Sequence, residues 1–293
     1  MISCIAAQSD VDPTVIIGGE VSILGGNARN GQGRFIIAEA DESDGSFLKL
    51  NSYIAVVTNI EDDHLDYYGT EENIYKAFKQ FLGNLVEGGK AILCVDNAKV
   101  KALAQETDKE VITYGLEDAD YVAKDIHYGV DGTTYKLYYK DEFVTEVRLI
   151  VPGRHNVLNS VGAFVAAREM GIADETILKA LEQFGGAKRR FETKGKVNGV
   201  WVVDDYAHHP TEIEVTLKAA RQTQPKRLLC LFQPHRYTRT QLLFKEFCNC
   251  FNDCDEVILT DIYAASENPI PGITSEALAE GISKATGKAV TYI

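Results

Sequence analysis

The chain has 293 residues, 45% of them hydrophobic and 25% charged, with a formal net charge of −13 at pH 7. That length allows two domains with sizeable cores, and the acidic balance excludes a sequence-independent nucleic-acid binder, which needs a basic face. No apolar run reaches the ~18 residues of a membrane span, the opening "MISCIAAQSD" lacks a secretory leader, and six cysteines in so long a chain read as reduced thiols of a cytoplasmic protein.

Residues 1–7 read as the tail of a helix, and the glycine-rich "GGNARNGQGR" as a turn between elements. That glycine run lacks a following Lys-Ser/Thr, so it is no phosphate loop, and no G-K-[ST] occurs anywhere in these residues. "RFIIAEA" (34–40) and "YIAVVTNI" (53–60) are short, β-rich and bounded by polar turns, as buried neighbouring strands are. "TEENIYKAFKQFLGNL" carries a threonine N-cap signal, early acids and apolar residues at helical spacing. Strand "KAILCVD", helix "NAKVKALAQET" and strand "VITYG" follow. Strands alternating with helices predict an α/β fold with a central, mostly parallel ATPase-type sheet.

From 121 to 151 the pattern changes to β-rich runs joined by "VDGT" and "YKDE", which predicts antiparallel hairpins. Helices return at "HNVLNSVGAFVAAREMG" and "ADETILKALEQFG". After "FGGAKRRFE" (184–192) a second βα series begins: strand "GVWVVDD", helix from Pro210, strand "RLLCLF", helix from Thr240, strand "EVILTD", helix from Thr274 and strand "AVTYI". The expected domains are therefore 1–188 and a smaller Rossmann-like α/β domain, 189–293. The abrupt ends predict a fragment of something larger. Cys248, Cys250 and Cys254 fall on a helical pattern without a nearby fourth ligand, so core packing is expected there rather than zinc.

Ligands in open α/β sheets bind beyond the carboxyl ends of strands, and three polar clusters fall there. "AEADESD" offers four acids, which suit Mg²⁺ or a solvated turn. "TNIEDDHLDYYG" adds His64 among carboxylates, as a helix cap or a metal ligand. "VVDDYAHHPTE" ends a strand with Asp204 and Asp205 and places His208 and His209 beside the first turn of a helix, where Pro210 fits. "FQPHRYTRT" supplies His235, Arg236 and Arg239, whose guanidinium forks match carboxylates and phosphates. In "GRHNVLN", His155, Asn156 and Asn159 could read a nucleobase edge or cap the helix.

"AEADESDGSFL", "VVTNIEDDHLDYYG", "PGRHNVLNSVGA", "FGGAKRRFE", "VVDDYAHHPTE", "FQPHRYTRT" and "DIYAASENPIPG", in this order over nearly the whole chain, resemble the Mur ligase family. The likeness is strongest to members that join L-alanine to UDP-N-acetylmuramate, using Mg²⁺ and ATP, through an acyl phosphate. It implies that 1–188 is a central ATP-binding domain without its phosphate loop and 189–293 a C-terminal domain without its last elements. The upstream UDP-binding domain would also be absent, and the chain alone inactive. Carried over by motif, Glu39 and His64 would bind Mg²⁺, and Asn156 and Asn159, with His155 beside them, would face adenine. Arg190 would reach ATP phosphate, and Asp205 would hold ribose. Tyr206, His208, Arg236 and Arg239 would orient the muramoyl carboxylate and L-alanine, with His208 or bulk water taking the amine proton. Lys76 and Lys79 lie on the helix that carries a carbamylated lysine in related ligases. The alternatives are a ligase adding an intact tripeptide to UDP-N-acetylmuramate, or a non-catalytic nucleotide-binding protein.

Overall fold

The computed structural model describes residues 1–61, 64–129 and 132–293. They form two compact units, the first from Met1–His127 and Gly132–Lys188, and the second containing Arg189–Ile293. No helix among the described residues is long and apolar enough to cross a membrane.

The first unit opens with α1 (Ile2–Ala7), followed by β1 (Thr14–Val21), β2 (Gly26–Arg29) and β3 (Ile36–Ala38). These strands make a small mixed sheet of order β2-β1-β3, with β1 antiparallel to β2 and parallel to β3. The glycine-rich stretch is thus part strand and part loop. Its loop lies against the backbone of residues 11–13, where Gly33 N donates to Asp12 O at 2.8 Å. Asp12 binds back, accepting from Arg29 at 2.5 Å and from Gln32 N at 2.9 Å. A Cβ on Gly33 would stand 1.8 Å from Val11 O, a backbone atom with no rotamer to escape into. Gly33→Ala is therefore expected to cost the first unit about 3 kcal/mol, seen by calorimetry as a lower midpoint for the unit without the tryptophan. An unchanged midpoint would refute this account of the loop.

The larger sheet is built from β4 (Ile54–Val57), β5 (Lys90–Cys94), β6 (Glu110–Gly115), β7 (Tyr121–Gly129), β8 (Gly132–Tyr139) and β9 (Glu142–Leu149), in that spatial order. Strands β4 to β7 are parallel, and β8 and β9 antiparallel. The "YKDE" turn has Lys140 at φ 47° and Asp141 at φ 65°, the two positive values of a type I′ hairpin. Positions 130–131 of "VDGT" lie outside the described residues. Between strands come α2 (Leu65–Tyr68), α3 (Glu71–Gly83) and α4 (Ala98–Glu106). Thr70 and Asn97 cap α3 and α4 through their side chains. Phe47, Val57, Ile74, Phe81 and Leu93 meet in the core beneath α3.

Helices α5 (Arg154–Glu169) and α6 (Asp174–Glu182) close this unit. Every residue of α5 from Ser160 to Ala167 is buried, the condition of a helix without a polar face. A Cβ on its Gly162 would lie 2.8 Å from the Tyr114 ring, so only glycine lets the helix close over that side chain.

Two expectations fail here. Strands β3 and β4 belong to different sheets and are not neighbours. Nor is β3 buried: Ile36 is 71% exposed, because β3 is an edge strand paired only with β1.

The second unit has a hairpin, β10 (Glu192–Val197) with β11 (Val200–Asp204), followed by α7 (Pro210–Gln222), β12 (Leu229–Phe232), α8 (Tyr237–Leu242), α9 (Phe244–Asn249), β13 (Glu256–Leu259), α10 (Ser275–Thr286) and β14 (Val290–Tyr292). Strands β12-β13-β14 form a parallel sheet. Its core gathers Phe232, Phe247, Phe251, Leu259 and Ile282, and Cys248, Cys250 and Cys254 are buried within it. Burial raises all three thiols, favouring the protonated form.

Candidate active site

In the first unit, the acids of "AEADESD" divide by the amide each accepts from. Asp41 accepts from Ser43 N and Asp44 from Ser46 N, both at 2.9 Å, so these two close turns. The bonds from Ser43 also hold the Asp41 carboxyl below the usual carboxylate range. Glu39, just past β3, accepts from Gly18 N at 2.6 Å and remains exposed. A Cβ on Gly18 would press to 3.2 Å from Glu39 Oε1, so glycine there makes room for the carboxylate. His64 precedes α2 at φ 54°, and its Nε2 lies 3.5 Å from Glu42 Oε1. Glu42 is anchored in turn, its carbonyl accepting from Tyr68 Oη at 2.5 Å. His64 thus meets the acidic stretch at Glu42, while Glu39 turns to β1. Asp62 and Asp63 lie outside the described residues. Among the described residues, no group of three His, Cys, Asp or Glu side chains has the spacing to hold a metal ion.

At the carboxyl ends of β5 and β6, Asp96 accepts from Leu116 N at 2.8 Å and from Arg154 Nη2 at 2.5 Å, tying the first residue of α5 to the sheet. His155 and Asn156 follow, half-buried. The Asn156 amide donates to Pro152 O at 2.7 Å. Asn159 is half-buried one turn on. Lys76 and Lys79 are exposed and ion-paired, to Glu72 at 2.6 Å and Glu106 at 2.9 Å. A carbamate on either would replace attraction with repulsion, so these pairs favour plain ammonium groups.

The second unit draws its motifs together. Tyr206 is the centre: Arg189 and Arg190 stand over its ring at 4.7 and 5.8 Å, and His208 meets it edge-on at 5.2 Å. His208 faces His235 at 6.4 Å, and His235 stacks on Tyr263 at 5.4 Å. Arg239 reaches His235 Nδ1 at 3.2 Å. Arg236 is held at φ 73°, ψ 136°, with its N–H on Tyr263 O at 2.8 Å. Asp205 braces two segments at once, accepting from Phe191 N at 2.7 Å and Ala207 N at 2.8 Å.

Glu212 ties two of these residues to the start of α7. Its Oε2 accepts from the backbone amides of His208 (3.0 Å) and His209 (3.2 Å) and lies 3.5 Å from His208 Nδ1. Its Oε1 is 3.6 Å from Arg190. Burial pushes the Glu212 carboxyl up, but those amides, His208 and Arg190 outweigh it, and the net shift is downward. Burial, then the charges of Arg239 and Arg236, push His235 below its ordinary value of 6.5.

Both shifts make acid destabilising. Near pH 6.5 the unfolded chain takes up a proton that folded His235 declines, and further down it takes up one that folded Glu212 declines. The unfolding midpoint of this unit, read by its single tryptophan, Trp201, is expected to fall in two stages as pH drops. His235→Gln should flatten the first stage and Glu212→Gln the second. Wild-type and variant profiles that superimpose would contradict the assignment.

The profile described as Mur ligase middle domain matches residues 24–167, and the profile described as Mur ligase, glutamate ligase domain matches residues 189–293. The chain belongs to the Mur ligase family. It is 50% identical over 295 residues to a UDP-N-acetylmuramate–L-alanine ligase of Desulforamulus reducens, and 49% identical over 294 to one of Syntrophus aciditrophicus. Both matches cover 100% of this chain, which spans 64% and 61% of the two relatives. The crystal structure of the UDP-N-acetylmuramate–alanine ligase of Thermotoga maritima is similar with a TM-score of 0.83 at 26% identity, over 100% of this chain and 63% of that one.

In this Mur ligase chain, motif reading did not single out Glu212, Arg189 or Tyr263. Glu212 had a signal, since an acid three residues into a helix is a capping-box position. Tyr263 had none, because it reaches His235 only through an isolated parallel bridge.

Proposed function

We propose that these residues are the catalytic middle and C-terminal parts of an ATP-dependent ligase that joins L-alanine to the carboxylate of UDP-N-acetylmuramate. The reading is carried by the cluster around Tyr206, where Arg190, His208, Arg236 and Arg239 gather within one unit. Such a cluster suits an anionic carboxylate that must be held beside an attacking amine.

The residues fit the groups the reaction needs. Mg²⁺ keeps several waters and binds through one or two protein ligands plus phosphate oxygens. Glu39, exposed and steadied by Gly18, suits that role as an oxygen ligand, whereas His64 is a nitrogen ligand and would share the ion with the Glu42 carboxylate beside it. For ATP, Asn156 and Asn159 would face the base, Asp205 the ribose, and Arg190 a phosphoryl oxygen. Mg²⁺-ATP, when bound, would supply the phosphoryl group that activates the carboxylate as an acyl phosphate. Arg236 and Arg239 would hold the substrate carboxylates in place through the reaction. Tyr206, pinned under two guanidinium groups, would wall the site and shield the activated carbonyl from water.

The test is phosphate release with ATP, Mg²⁺, UDP-N-acetylmuramate and L-alanine, using these residues in a chain of its relatives' full length. Release that depends on L-alanine supports the reading. Release with tripeptide but not L-alanine would overturn the choice of acceptor, and none with either would overturn the activity.

A further inference from the structure

The first turn of α8 carries the arginine pair of the second unit and does not cap itself. Arg236 stands at its N-cap position, and its side chain makes no capping bond. The acceptor comes instead from the segment after β13. Glu267 Oε1 accepts from the Thr238 hydroxyl at 2.6 Å, and Glu267 Oε2 from the Thr238 amide at 3.0 Å. Those bonds, with the Arg236 charge behind them, hold the Glu267 carboxyl below its ordinary range. A tight turn delivers it there. Glu267 N donates to Ala264 O at 2.9 Å, and the two residues between, Ala265 and Ser266, sit at φ 48° and 72°. Two successive positive φ values are normally left to glycine, asparagine or aspartate, and other residues keep them only where the surroundings compel it. Tyr263, immediately before the turn, is already fixed: its N–H donates to Pro234 O and its carbonyl accepts from Arg236 N, both at 2.8 Å. The segment therefore grips residues 234–238 twice, through Tyr263 and again through Glu267.

We propose that Glu267 is a positioning residue of this site, which caps α8 from outside and so sets where Arg236 and Arg239 present their guanidinium groups. The inference rests on the ligase reading above, in which that pair holds the substrate carboxylates. Residues three apart are neighbours on a helical turn, so an anchor on Thr238, which lies between the two arginines in sequence, orients both. Arg239 is then within reach of His235 Nδ1, at 3.2 Å. Glu267 acts through Thr238 and not on the substrate, so the working part is the clamp rather than the charge. Glutamine can make the same clamp uncharged, with its oxygen accepting from the Thr238 amide and its N–H donating to the Thr238 hydroxyl. Alanine can make neither bond.

Amide hydrogen exchange in the 293-residue chain tests the clamp without any turnover. The Thr238 amide should be protected in the parent and in Glu267→Gln, and should exchange freely in Glu267→Ala. Protection that survives in the alanine variant would overturn the proposal. In a chain of full length, assayed well below each variant's unfolding midpoint, Glu267→Ala should lower kcat by about tenfold or more and raise KM for UDP-N-acetylmuramate, with KM for ATP unchanged. Glu267→Gln should keep both constants near the parent's. A cap that only stabilised the helix would lower the midpoint and leave the kinetic constants of the folded alanine variant at parental values, and that result would overturn the proposal. A glutamine variant as impaired as the alanine one would overturn it in favour of a role for the charge. Absence of L-alanine-dependent turnover in the unmodified full-length chain would instead overturn the ligase reading and, with it, the task given to the arginine pair.

Discussion

Arg236→Gly is expected to stabilise the second unit and, on the proposed function, to remove most of the turnover of a chain of full length. Arg236 occupies φ 73°, ψ 136°, close to a region that residues with a Cβ enter only at a cost of about 1–3 kcal/mol. The surroundings impose that conformation. Its N–H is bonded to Tyr263 O at 2.8 Å, and its carbonyl accepts from the hydroxyl of fully buried Thr240 at 2.8 Å. Glycine removes the strain but adds about 0.5–1 kcal/mol of unfolded-state entropy, leaving a net gain on the order of 1 kcal/mol. Arg236→Ala keeps the strain, so its stability should stay near the parent's. Both variants remove an exposed guanidinium that the proposed function assigns to the substrate carboxylates, and kcat of a chain of full length should fall about 10²–10³-fold in each. Trp201 fluorescence in urea and phosphate release are the two readouts. A glycine variant less stable than the alanine one would show that Arg236 is not strained. Either variant with parental kcat would remove Arg236 from the site.

Much of the fold could be read from the chain because local chemistry and tertiary packing agree. Thr70 and Thr274 cap the helices they introduce, and β5 is a continuous apolar run because it is central and buried. Two of the strands absent from the sequence reading have visible causes. β10 is "ETKGKV", with no apolar alternation, and exists by pairing with β11. β2 is "GNAR", recruited to a sheet by β1 alone. Neither carries a local preference strong enough to declare itself.

The candidate site was legible in its residue types and less so in its connections. The motifs put polar side chains at strand ends, but "AEADESD" could not say that Asp41 and Asp44 bind amides of their own turns while Glu39 binds one on β1. That distinction depends on where the donors lie, Ser43 N and Ser46 N two residues on and Gly18 N on a neighbouring strand. The link from Arg190 through Glu212 to His208 joins residues 18 positions apart and needs the geometry of the α7 cap to appear.

Asp205→Ala is expected to lower the stability of the second unit by about 2–4 kcal/mol, the loss of two amide–carboxylate bonds in a half-buried site. One of those amides belongs to Phe191, at φ 49°, and Arg189 two residues earlier is at φ 58°. Two left-handed residues flanking Arg190 each cost about 1–2 kcal/mol unless something compels them. The compelling bonds are Phe191 N to Asp205, Arg189 N to Glu192 at 2.7 Å and Tyr206 N to Arg189 O at 2.7 Å. Without Asp205, residues 189–191 can relax toward ordinary backbone angles, and Arg190 loses its place over Tyr206 and near Glu212. Asp205→Asn keeps one acceptor oxygen and should fall between the alanine variant and the parent. Trp201 is well placed to report the change, since its ring meets Phe191 edge-on at 5.8 Å. If Asp205 served only a ribose hydroxyl, both variants would unfold with the parent and lose nucleotide affinity alone. Because the carboxylate is bonded to the backbone on both sides, stability and activity should fall together, with alanine the worse of the two.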